Sequence, residues 1–166
     1  ADIQWHFIGH LQTNKVRDLL KLKPYIIESV DSERLLHAIN TEAEKLGIIQ
    51  NILLEVHVAR EETKSGFTPN ELTALLSTDI CASLPNIHIC GLMSMATNTE
   101  DETEIRRCFS TAASLTSNIR HLTSDIILSM GMSDDYKIAI EYGSNSVRIG
   151  SAIFGERDYT NPKPSS

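Results

Sequence analysis

Apolar residues follow two rhythms along this chain. Short, β-rich and nearly continuous apolar runs occur at residues 5–9 (WHFIG), 25–30 (YIIESV), 51–58 (NILLEVHV), 86–95 (NIHICGLMSM), 125–130 (DIILSM) and 146–150 (SVRIG). Between them lie stretches whose apolar positions recur at three and four, the spacing of an amphipathic helix. In residues 31–47 that face is Leu35, Leu36, Ile39, Ala43 and Leu46, with Asp31 or Ser32 as N-cap and Gly47 as the stop. Thr68 before Pro69 is a cap and first-turn pair for a second helix running to residue 84. Residues 99–119 carry acids in their first turn and Ile105, Phe109, Ala112 and Leu115 on one face, and residues 133–143 form a short helix ending at Gly143. Six strands alternating with five helices predict βαβ units and a parallel sheet. Continuous apolar strands are expected where helices cover the sheet. An open doubly wound sheet and a (β/α)8 barrel both satisfy this order. A closed barrel needs eight strands and about 250 residues, so on that architecture the chain is two βα units short.

Composition narrows the function classes. The 166 residues predict one domain, residues 1–159, followed by a disordered tail at 160–166 with two prolines and no apolar residue. Fifteen Lys and Arg against 22 Asp and Glu give a net charge of -7 and no basic stripe, which argues against a nucleic-acid partner. No apolar run approaches the roughly 18 residues of a membrane span, and the N-terminus does not read as a signal peptide. Three scattered cysteines, Cys81, Cys90 and Cys108, predict buried thiols in a reducing compartment, hence a cytoplasmic protein.

In both architectures ligands gather at the C-terminal ends of the strands. Two such ends point to an anion. SMGMSDD (129–135) places a glycine and two serines, Ser133 among them, between a strand and a helix. SVRIGS (146–151) adds Gly150 and Ser151 after a strand that carries Arg148 among apolar neighbours. A buried arginine needs an anionic or polar answer. That answer is an anion such as phosphate or sulfate, or else a carboxylate inside the barrel such as Glu55. Adjacent anion-binding ends on the last two strands match the habit of barrel phosphate sites after strands seven and eight, which puts the two missing units at the N-terminus. Other constellations carry less. His6 and His10 sit on a strand and its loop, not at helical zinc spacing. His88 and Cys90 share a strand face and read as packing, and Lys64, Ser65 and Gly66 lie in a polar loop.

WHFIGHLQTNK, KSGF, GLMSMA, LSMGMSDDYKIAIEYGSNSVRIGSAIFG and RDY, in that order from Trp5 to Tyr159, resemble the pyridoxal phosphate homeostasis protein family. The resemblance implies a fold-type III pyridoxal 5'-phosphate (PLP) protein, a (β/α)8 barrel like the N-terminal domain of alanine racemase. It implies a protein that looks after the intracellular supply of PLP without established catalytic turnover; a monomer is expected. It places the cofactor phosphate against Ser133, Gly150 and Ser151, Arg148 toward the pyridine nitrogen, and Met93, Ser94 and Met130 around the ring. The family's Schiff-base lysine lies on a first strand with no counterpart here, and neither Lys15 nor Lys64 stands in its place. The chain is therefore expected to be an incomplete barrel of about six βα units, or a partner for a missing N-terminal segment. Two further readings remain: a racemase-like barrel enzyme, and a structural fragment that binds nothing.

Overall fold

A computed structural model describes residues 2–61 and 65–155. Lys64, the RDY stretch at 157–159 and the expected tail lie outside the described residues. All six apolar runs form strands: β1 (His6–Phe7), β2 (Ile26–Val30), β3 (Gln50–His57), β4 (Ile87–Met95), β5 (Ile127–Met132) and β6 (Ser146–Arg148). They build one parallel sheet in the order of the sequence. Helices cross between successive strands: α1 (Val16–Lys21), α2 (Glu33–Leu46), α3 (Pro69–Leu76) with α4 (Ile80–Ser83), α5 (Glu102–Leu115) and α6 (Tyr136–Glu141). A last turn, α7 (Ser151–Phe154), follows β6.

The helix ends obey local chemistry. Ser32, rather than Asp31, caps α2 by accepting from the Leu35 N–H, and Gly47 closes it with a left-handed φ of 65°. Thr68 and Glu71 form a reciprocal capping box at the start of α3, with Pro69 as its first residue. The stretch expected as one helix over 68–84 is two, α3 and α4. Residues 116–119 continue α5 as a 3-10 turn.

The pleat sorts side chains onto two faces. Ile27, Ile52, Leu54, Val56, Leu92, Leu128 and Met130 face the helices and pack with Leu36, Ile39, Leu72 and Phe109 in one core. The opposite face carries a smaller buried cluster, Ile26, Leu53, Cys90 and Met93. This second face is concave. Strands β2 and β5 have two others between them, about 14 Å apart in a flat sheet at 4.8 Å per strand. Yet the Ser129 hydroxyl on β5 donates to Glu28 on β2 at 2.6 Å. Only a sheet rolled toward a barrel allows that contact, so the arc of six strands is that of a (β/α)8-type fold. Its two edges, β1 and β6, leave Trp5 (68% exposed) and Phe154 (86% exposed) in solvent. No helix among the described residues is long and apolar enough to cross a membrane.

At the C-terminal rim α5 clasps two loops. The buried Glu104 carboxylate accepts from Arg107 (2.6 Å), from the Thr97 hydroxyl after β4 (2.9 Å) and from Arg60 after β3 (2.8 Å). Arg107 also donates to the Val58 carbonyl at 2.8 Å. These contacts, Arg107's foremost, hold the Glu104 carboxyl down to about 2.

Two outcomes are expected. Glu104 in the unfolded chain titrates near the usual 4.3, so its contribution to stability is complete above that pH. It declines as pH falls toward 2, and Glu104→Gln should flatten this acid limb in pH-dependent urea unfolding; an unchanged limb would contradict the clasp. At Gly91 a Cβ would stand 1.8 Å from the Ile127 carbonyl oxygen of the neighbouring strand. Gly91→Ala should therefore cost about 3 kcal/mol or more, measured by urea unfolding.

Candidate functional site

Arg148 is the last residue of β6, and its side chain, 10% exposed, reaches under the concave face. Nη1 donates to the Ser129 carbonyl (3.0 Å) and hydroxyl (2.8 Å), and Nη2 donates to the Ser94 carbonyl (2.8 Å). The carboxylate that answers the charge is Glu28, with Oε2 4.0 Å from Nη1, not the Glu55 considered from sequence. Ser129 bridges the pair, accepting from Arg148 and donating to Glu28. The other Glu28 oxygen lies 2.7 Å from His6 Nδ1, which donates in the tautomer carrying that proton. His6 in turn stacks on Tyr25, with ring centroids 5.8 Å apart. The result is a polar line from β1 through β2 and β5 to β6. Burial pulls the Arg148 pKa down and Glu28 pushes it back, but a guanidinium remains charged at any ordinary pH.

A cleft of about 970 Å³ opens above this line. Glu55, Met93, Ser129 and Ser146 stand in register across β3 to β6, and all but the fully buried Ser129 line its wall. Of the residues expected from sequence, Ser133, Arg148, Gly150, Ser151 and Met93 all line this cleft. Met130 does not: it faces the helices, fully buried in the main core. Ser94 follows the same parity, one residue from Met93. Its carbonyl serves Arg148, while its hydroxyl is buried without a partner.

The rim beyond β5 and β6 differs from the sequence expectation. Strand β6 ends at Arg148, two residues short of the expected 146–150, and Ser151–Phe154 turn into α7. Helix α6 begins at Tyr136, so Ser133 does not cap it. The Ser133 hydroxyl instead accepts from the backbone N–H of Gly150 (3.3 Å) and of Ala152 (3.2 Å). A side-chain oxygen thus sits where two N–H groups converge, the arrangement that also receives a phosphate oxygen. Gly150 has φ −122°, open to any residue, and a Cβ there would meet no atom within 4 Å. Its missing side chain keeps room beside those N–H groups. Among the described residues no lysine lines the cleft.

Glu28, Ser129 and His6 are the residues that sequence reasoning missed. Glu28 carried a signal: one acid inside the apolar run YIIESV poses the same question as Arg148. Ser129→Ala removes the bridge while leaving both charges buried, and should cost about 2 kcal/mol in urea unfolding. Ser94→Ala removes a hydroxyl that bonds nothing, so stability should stay within about 0.5 kcal/mol or rise. Equal losses at the two serines would contradict this geometry.

Comparison with known proteins agrees with the fold. The sequence matches the family described as alanine racemase, N-terminal domain, over residues 2–158. It is 42% identical over 154 residues to the pyridoxal phosphate homeostasis protein of Helicobacter pylori, covering 93% of this chain and 68% of that one. Among solved structures it resembles PipY of Synechococcus elongatus with PLP bound, with TM-score 0.79 and 29% identity over 93% of this chain and 72% of PipY. Alanine racemase of Clostridium difficile shares the fold, with TM-score 0.73 and 16% identity over 95% of this chain and 41% of the racemase. A match that runs along nearly all of this chain makes it a member of the alanine racemase N-terminal domain family and, within it, of the pyridoxal phosphate homeostasis proteins.

Proposed function

We propose that this chain binds PLP in the concave cleft and serves the cytoplasmic supply of PLP as a monomer, without catalytic turnover. The observation that carries the reading is the convergence of the Gly150 and Ala152 N–H groups on the Ser133 hydroxyl, next to a glycine whose Cβ position is empty. PipY, a relative of the same fold, is described with PLP bound, and the H. pylori relative is named for PLP homeostasis.

When bound, the cofactor supplies a pyridine ring that acts as an electron sink. Ser133 and the backbone N–H groups of Gly150 and Ala152 would hold its phosphate, with Ser151 between them lining the same end, and Met93 would pack near the ring. Arg148 would face the ring nitrogen. A permanent cation there disfavours protonation of that nitrogen and so weakens the sink, which suits a carrier better than an enzyme of carbanion chemistry. Glu28 and Ser129 restrain Arg148 from below, so its charge is directed rather than free to swing.

Calorimetric titration with PLP and with inorganic phosphate tests the reading. Gly150→Val should keep its melting temperature and lose both ligands by about tenfold or more, because the added methyls fill the space beside the N–H groups. Arg148→Gln should leave phosphate binding within about threefold while shifting the absorbance of bound PLP. A wild-type chain that binds neither ligand, or a Gly150→Val chain that binds both as wild type does, would overturn the assignment.

A further inference from the structure

The wall opposite Arg148 carries a second charge that phosphate and ring binding leave unused. Glu55 is 3% exposed and projects from β3 into the cleft at the level of Met93 and Ser129. The Ser65 hydroxyl donates to its Oε1 at 2.9 Å, and no other described side chain donates to either oxygen. No described cation stands within salt-bridge distance of it. Arg148, the cation on the facing strand, is engaged with Glu28 and Ser129 instead. Burial raises the Glu55 pKa; the Ser65 hydrogen bond opposes it, Asp31 adds to the rise, and Arg148 and His10 oppose it more weakly. A carboxylate so placed is costly to keep charged unless a cation comes to it.

The cleft therefore has two unlike walls, one with Arg148 and one with a carboxylate that no described cation answers. Its complement is a phosphate ester whose ring nitrogen meets Arg148 and whose ammonium hangs from the ring carbon across from that nitrogen. We propose that Glu55 is the counter-charge for an ammonium group on the ligand, so that the cleft selects the aminated form of the cofactor, pyridoxamine 5'-phosphate, over its uncharged analogues. The proposal rests on the reading of the cleft as a PLP site and adds to it a preference set by this one residue. Glu55 makes no covalent step; it receives N–H bonds from the ammonium.

The test compares pyridoxamine 5'-phosphate with pyridoxine 5'-phosphate, which differ by an ammonium against a hydroxyl, in calorimetric titrations of the wild-type chain and of Glu55→Gln. The wild type should bind the amine about tenfold more tightly or better, as a charge-assisted hydrogen bond in a shielded site provides. Glu55→Gln should abolish that preference and leave the alcohol within about twofold. Ser65→Ala, which removes the competing donor from an exposed position, should retain the preference. Equal binding of amine and alcohol by the wild type would overturn this proposal alone, as would a preference that survives Glu55→Gln. Binding of neither compound would overturn the cofactor reading and this proposal together.

Discussion

The guanidinium of Arg148, buried on a three-residue edge strand, can stay there only because Glu28 and Ser129 reach it from other strands. Taking a permanent charge out of water is expensive, and the cost falls only when charge and hydrogen bonds both meet it. Here they come from β2, β4 and β5, so the strands that supply them must curve around one interior. The same contacts that satisfy the arginine therefore hold the sheet in its arc. In a flat sheet Ser129 would be too far from Glu28, and the charge on β6 would have no carboxylate.

From that constraint the site follows. The helix-facing side of the sheet is filled by apolar side chains, and the concave side has only a small apolar floor beneath a layer of polar groups. A curved interior with polar walls is a cleft. Where β6 ends, Gly150 and Ser151 turn the chain into α7 and bring N–H groups up to Ser133 on the neighbouring loop. The clasp at Glu104 steadies the same rim farther along, tying the loops after β3 and β4 to α5.

Much of this was legible along the chain, because it is encoded by period and by local chemistry. Alternating apolar runs and helical spacings located all six strands, and Ser32, Gly47 and the Thr68–Pro69 pair located helix ends. Arg148 and Gly150 stood out since a charge or a glycine in an apolar context is anomalous on its own. Pairing was harder to read. Glu28 and Ser129 are 101 residues apart and meet only through curvature, so sequence offered Glu55 as an equally good partner for Arg148. Met130 and Ser94 were placed near the ring by resemblance, whereas the pleat turns their side chains toward the helices. One residue of register separates a lining position from a core position, and that register depends on where each strand begins and bulges. The last strand read as reaching Gly150 because Ile149 continues its apolar run, although β6 stops at Arg148.

The claim that the Arg148–Glu28 pair underlies the arc can be measured by a double-mutant cycle. Glu28→Gln, Arg148→Met and the double variant are unfolded in urea beside the wild type, and the coupling energy is taken from the four stabilities. Each single change leaves a buried group short of its partner, while the double change removes both charges. The account predicts a coupling of about 2 kcal/mol or more, with the double variant more stable than the sum of the single losses implies. Losses that add to within about 0.5 kcal/mol would contradict it, since residues that act independently do just that.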